Sequence, residues 1–143
     1  MSSLKYIVES LQTICANNIS IEEFDFGSDF DVSVGTRQYP QVYAEIQPSA
    51  IEDKSVSLSF NIVVSDRLEL DNSNELDVLS SMLDIVMDLR ANLTALNSEK
   101  IKVSLSSTIT PFTESSTDNT AGWTWGIDIE FTDLKDRCNL PLV

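Results

Sequence analysis

Chemistry in a chain begins with side chains that can move protons, attack a centre or hold a cation, and here the acids come first. Asp25, Asp29 and Asp31 gather around Gly27, and clustered carboxylate oxygens of this kind suit a hard cation such as calcium. The EF-hand spacing is not met, because Phe30 and Val32 take alternate positions and no glutamate stands where the bidentate ligand belongs. The cluster reads instead as a solvated acidic edge. Asp71-Asn72-Ser73-Asn74-Glu75 offers similar donors, but helix capping already accounts for each of those residue types. Paired carboxylates could in principle cleave glycosides. With 23 Asp+Glu in 143 residues, however, some pairs fall close by chance and nothing marks one of them. Ser80-Ser81 lie within a helical pattern, with no glycine-flanked elbow to present a nucleophile. Trp123 and Trp125 share one face of a strand and could line a ligand pocket, although alternating tryptophans in a sheet serve more readily as core.

What is missing narrows the field further. The sequence has no histidine, which removes Ser–His–Asp and Cys–His arrangements, histidine general bases and most zinc sites. It has neither GxGxxG nor GxxxxGK[ST], and its 4 glycines leave little for a phosphate-cradling loop. Cys15 and Cys138 are far apart without CxxC spacing, so both read as small buried hydrophobes. The balance of 9 Lys+Arg against 23 Asp+Glu gives a net charge of −14. Such a chain repels phosphates, which argues against independent, sequence-specific nucleic-acid binding. No cofactor or metal is expected. The start of the chain lacks the apolar stretch and cleavage site of a signal peptide, and no run is long enough to span a membrane. The expected setting is a cytoplasm, or a particle assembled there.

The elements that would position these residues follow from hydrophobic period. At 42% hydrophobic and 22% charged, the chain has a globular composition and the length for one domain with its own core. Leu4, Ile7, Val8, Leu11, Ile14 and Cys15 recur at helical steps after Ser2 or Ser3, predicting a helix to about Ala16 with Asn17-Asn18 as its stop. Residues 19–26 form an acidic–aromatic stretch that turns at Gly27-Ser28. Phe30, Val32 and Val34 alternate with polar residues, as do Val42, Ala44 and Ile46 up to Pro48, so the two segments read as a hairpin joined by Gly35 to Pro40. Val56, Leu58, Phe60, Ile62 and Val64 give the clearest strand. A second helix follows Asp71–Asn74, with Asn72 and Glu75 at capping-box spacing. Its apolar face is wide enough to need the sheet on one side and another element or subunit on the other. Ile101 to Pro111 reads as a strand, Phe112 to Thr120 as a polar loop, and Trp123 to Phe131 as the last strand. The order is α-β-β-β-α-β-β. The expected fold is α+β: a single domain spanning 1–143, with a mostly antiparallel sheet of 4–5 strands and two helices packed on it.

Several of these features occur together in a recognisable order. Val63-Val64-Ser65-Asp66 leads into a capped helix with Asn74-Glu75-Leu76-Asp77-Val78-Leu79. Thr110-Pro111-Phe112-Thr113-Glu114 then precedes Asp118-Asn119-Thr120-Ala121-Gly122-Trp123, an alternating strand and Cys138-Asn139-Leu140-Pro141. Over roughly residues 54–141 this arrangement resembles the small tail-terminator, tail-completion and neck-ring proteins of double-stranded DNA bacteriophages. The resemblance implies a virion protein without catalysis, whose subunits join side by side into a head–tail connector or tail ring. A hexamer is the expected ring and a dodecamer the larger alternative. Its other partners would be neighbouring tail or neck proteins, and DNA would pass through a lumen that an acidic subunit does not grip.

The contacts of such a ring are expected at Phe24, Phe26, Tyr39, Tyr43, Phe112, Leu140 and Leu142, where aromatics interleave with acids or the chain ends apolar. A rival reading is an acidic protein-binding module, an immunity protein or DNA mimic that blocks a basic partner. A second rival, a carboxylate-based or metal-dependent enzyme, would show a divalent-cation dependence lost on Asp25→Ala or Asp29→Ala.

Overall fold

The computed structural model describes residues 3–27, 38–52, 55–69, 71–115 and 119–131. Helix α1 (Ser3–Ala16) buries Ile7, Leu11 and Cys15, the four-residue spacing of one helical face. It ends where expected: the Asn17 amide donates to Thr13 O at 3.0 Å, and Asn18 Oδ1 accepts from the Ser20 amide at 2.9 Å. Helix α2 (Glu75–Thr94) buries Val78, Met82, Ile85, Val86, Leu89 and Leu93. Glu75 and Asp77 in its first turn complement the helix dipole.

The start of α2 departs from the capping-box expectation. Asn74, not Asn72, occupies the cap position, and its side chain makes no cap hydrogen bond. Instead Asn74 Oδ1 accepts from the Glu69 amide at 2.7 Å. Asn72 takes a left-handed backbone with φ 59°, a conformation asparagine tolerates. Asn119 Nδ2 donates to both Glu69 O (3.0 Å) and Asn72 Oδ1 (2.8 Å), clasping this connection to the start of the last strand.

Both helices pack on one sheet, so the expected α+β fold stands, but the sheet has six strands rather than 4–5 because a strand forms over Thr110–Ser115, largely where a loop was expected. Its strands are β1 (Glu23–Gly27), β2 (Gln41–Glu52), β3 (Ser55–Arg67), β4 (Ile101–Leu105), β5 (Thr110–Ser115) and β6 (Asn119–Phe131). They run in the order β1-β2-β3-β6-β4, with β5 also on β6. All pairings are antiparallel except β1 with β2. The strand expected over 30–34 lies outside the described residues. The strand that does flank β2 is the acidic–aromatic segment itself, with Phe24 opposite Val42 and Phe26 opposite Ala44.

Two irregularities explain why strand ends were misplaced in the sequence. Strand β2 does not stop at Pro48. Between Gln47↔Ser59 and Ala50↔Ser57 it bulges, leaving Pro48 and Ser49 opposite Leu58. The bulge accommodates a proline that cannot donate to the ladder. Ser49 Oγ fills in, accepting from the Ser59 amide (3.2 Å) and donating to Gln47 O (3.0 Å). On the other side, the expected strand from Ile101 to Pro111 is broken. Residues 106–109 stand opposite only Trp125 and Gly126, so β4 and β5 meet β6 in different registers. The segment expected as a loop from Phe112 to Thr120 is then mostly hairpin, with Phe112 opposite Gly122 and Ser115 opposite Asn119.

Cross-strand partners share a face, so the register sorts the side chains. The helix face carries Val42, Ala44, Phe60, Ile62, Val64, Trp125, Ile127 and Ile129, which with both helices form one buried cluster. The opposite face carries Glu45, Ser59, Asn61, Gly126, Asp128 and Glu130, with Tyr43 and Val63 buried towards one end. Gly122 is a position where packing demands glycine. A Cβ there would overlap the Val64 carbonyl oxygen and lie 2.8 Å from Ser65 Cα.

The outer edge of β4 is occupied by the chain's own turn. Asn97 Oδ1 accepts from the Val103 amide at 2.8 Å, Ser98 Oγ from the Ile101 amide at 3.2 Å, and the Ser98 amide donates to Ile101 O at 2.8 Å. Pro111 in β5 has no N–H to offer, and β2 carries Pro48 where it outruns β1. These are devices that blunt sheet edges.

Candidate functional site

The residues expected to form a shared contact surface are distributed rather than gathered. Phe24 and Phe26 alternate with acids, as strand period requires, and point to the helix face of β1. Phe24 packs on the core. Phe26 stays 37% exposed, with its ring edge-on to Phe60 at 6.3 Å between centroids. Tyr43 lies on the other face and is buried. Tyr39 is half-buried beneath the Arg67 guanidinium, 5.2 Å from its ring centroid, a cation–π contact inside the chain. Phe112 belongs to β5, half-buried on the same face as Tyr43. Leu140 and Leu142 lie outside the described residues. Among the described residues no single surface therefore unites these positions.

A different apolar surface does form, and register reveals it. Ile51, Val56, Phe131 and Ile101 are successive cross-strand partners, making a row over four strands on the helix face. The next row inward, Leu58–Ile129–Val103, is covered: Ile129 is fully buried and Leu58 nearly so. The outer row is only half-covered at Val56, Phe131 and Ile101, and Ile51 is 81% exposed. Core patterning here continues past the point where core burial ends. The alternation through Val56 signals this row in the sequence, whereas Ile51 comes into line only because β2 resumes after Pro48.

On α2, Leu76 and Met87 are 79% and 61% exposed, with half-buried Leu79 and Leu83 between them. The face expected to need a second cover is thus partly uncovered at these positions. The two tryptophans take the core reading. Trp125 is buried, and Trp123 Nε1 donates to Leu79 O at 2.9 Å, tying α2 to the sheet.

Among the described residues the acidic candidates bring no catalytic geometry together. Asp25 stands on β1 facing away from the helices, while Asp29 and Asp31 lie outside the described residues. Asp71 Oδ1 accepts from the Ser73 amide at 3.1 Å, and hydrogen bonding to Ser73 holds the Asp71 carboxyl below its ordinary range. Among the described residues no group of three or more acids or cysteines is placed to hold a metal ion. Ser80 and Ser81 are exposed on α2, within the helix as expected. Burial pushes the Cys15 thiol up to about 12, so it stays protonated and inert as a nucleophile at neutral pH. Among the described residues no helix is long and apolar enough to cross a membrane.

No protein-family model matches the chain, and no curated protein matches it in sequence.

Proposed function

We propose that this chain is a structural subunit that associates with copies of itself, in the specific form of a ring at the tail or neck of a bacteriophage particle, without catalysis. The observation that carries the self-association is the half-covered apolar row Ile51–Val56–Phe131–Ile101, which extends the core pattern into surface. Contiguous apolar surface of this kind marks contact sites in soluble proteins. The phage assignment rests on the sequence resemblance over roughly residues 54–141 and on the expected α+β order, which the observed elements follow roughly, with one strand more. A net charge of −14 suits a conduit that DNA passes without adhering.

Light scattering after size exclusion, at low and high salt, tests the reading. A defined closed species of hexamer size is expected, and it persists in salt because the contact is apolar. Ile51→Glu should disperse it while leaving the melting temperature of the subunit unchanged, since Ile51 is 81% exposed. A monomer in both salts at every concentration, for the unmodified chain, counts against the ring.

The alternative, an acidic module that blocks a basic partner, is favoured by the carboxylates on the sheet face opposite the helices, Asp25, Glu45, Asp128 and Glu130. It predicts a monomer that binds a basic protein with steep salt dependence.

A further inference from the structure

On the face opposite the helices, a shallow groove of about 370 Å³ lies over Gly126. Gln47, Ser59 and Asn61 line one side, and Ser104, Ser106 and Asp128 the other. Gln47, Ser59, Asp128 and Ser104 are one cross-sheet row. Both backbone irregularities of the sheet flank it, the β2 bulge at Pro48–Ser49 and the break between β4 and β5. Bulges often stand next to functional sites, because they re-aim side chains.

Gly126 is the telling residue. Glycine in the middle of a long strand weakens it, by roughly 0.5–1 kcal/mol against alanine. At Gly122 the reason is plain, since the Val64 backbone occupies the space a Cβ would need. Gly126 has no such reason: a Cβ there meets nothing nearer than Phe60 O at 3.9 Å, and no glycine among the described residues has a positive φ. Gly126 stands opposite the break between β4 and β5, and strand glycines occur both at such irregularities and where another molecule approaches the backbone closely.

The chemistry of the walls says which kind of molecule. Asp128 Oδ1 accepts from Ser59 Oγ at 2.5 Å, which orients the carboxylate. Asn61 Oδ1 accepts from Thr124 Oγ1 at 2.8 Å. Gln47 uses its Nε2 donor on Glu45 Oε1 at 2.6 Å. The polar groups of the lining are hydroxyls, amides and one carboxylate, set among carbon surface, and the lining contains no basic side chain. Glu45 and Glu130 lie in the adjacent rows of the same face, the latter opposite Lys102.

We propose that this groove binds the guanidinium of an arginine presented by a partner protein. The flat cation lies on the bare Gly126 backbone, donates to Asp128 in the paired geometry that guanidinium and carboxylate share, and uses its remaining N–H groups on the amide and hydroxyl oxygens. The −14 charge of the chain steers a basic partner towards it. The inference stands independently of ring formation, because it concerns the face opposite the apolar row.

Titration of the full chain with the peptide Gly-Arg-Gly, followed by amide NMR shifts, tests it against the citrulline peptide, which has the same shape without charge. Shifts confined to Ser59, Asn61, 104–106 and 126–128, absent with citrulline, are expected. Gly126→Leu fills the groove without changing charge, and Asp128→Asn removes the carboxylate with little change of shape. Each should weaken binding about tenfold or more, with the remaining spectrum intact as the control for folding. Shifts scattered over the acidic surface, or equal affinity in the Gly126→Leu variant, would overturn the proposal by showing attraction to charge alone.

Discussion

Two glycines of β6 allow one argument to be tested against itself. Gly122→Ala places a methyl on the Val64 carbonyl and 2.8 Å from Ser65 Cα, where the obstacle is backbone of the adjacent central strand rather than a flexible side chain. Overpacking costs about 1–3 kcal/mol where side chains can yield, so the upper end, about 3 kcal/mol, applies here. For a domain of this size that corresponds to a fall in Tm of roughly 10 °C, or a urea midpoint lower by about 1.5 M at a typical slope. Gly126→Ala meets only Phe60 O at 3.9 Å. It removes a strand glycine at no steric cost and should gain up to about 1 kcal/mol. Urea unfolding of both variants by tryptophan fluorescence reads the difference. If Gly122→Ala falls within about 0.5 kcal/mol of the unmodified chain, or if both variants lose stability equally, the distinction between a required and an unrequired glycine is wrong.

Trp123→Phe should cost about 2 kcal/mol in the same assay, from the lost donation to Leu79 O and the smaller ring against α2; a neutral result would mean that the tie does not hold the helix. Burial raises Cys15 from an ordinary 9.0 to about 12, so the unfolded thiol ionises first as pH rises. Stability is then lost between those values, by about 1.4 kcal/mol per pH unit above 9. Cys15→Ala should flatten that slope in pH-dependent melting, measured in a Cys138→Ser background. Asp66 is raised above 3.8, first by burial, with its bond to the Arg67 amide and the Arg67 charge working the other way. Its ionisation therefore opposes folding, and the associated stability is present below pH 3.8 and lost as pH rises past the folded value. Asp66→Asn should raise Tm at pH 7 and remove that pH dependence, and a lower Tm would show that the carboxylate is held for its charge.

How much of this was legible beforehand depended on which physics wrote the pattern. Both helices and strands β3 and β6 stand in the sequence because each has one face on a core, and burial imposes period. Strand β1 carries the same alternation in Phe24 and Phe26, but two acids in a short segment, paired parallel to a strand distant in sequence, leave little local signal. Strand β5 is polar because its residues Thr110 and Thr113 are exposed, so it resembles a loop. Ile51 was hidden for another reason: a proline that normally ends a strand is absorbed by a bulge, and a serine hydroxyl completes the hydrogen bonding. The groove over Gly126 could not be read at all. Its walls come from β2, β3, β4 and β6, and only pairing register shows that the two glycines of one strand have opposite reasons to exist.

The plugged edge of β4 carries a consequence for how copies of this chain can meet. With Asn97 and Ser98 holding the groups that a visiting strand would seek, this edge of the sheet is closed to a further strand. Backbone-to-backbone zippering is close to irreversible, because each added strand offers a new edge to the next. Contacts made through side chains alone come apart and re-form, so a misplaced subunit can leave before its neighbours lock it in. In the ring proposed above, the turn between α2 and β4 would keep this edge out of the contact between copies and leave that contact to side chains.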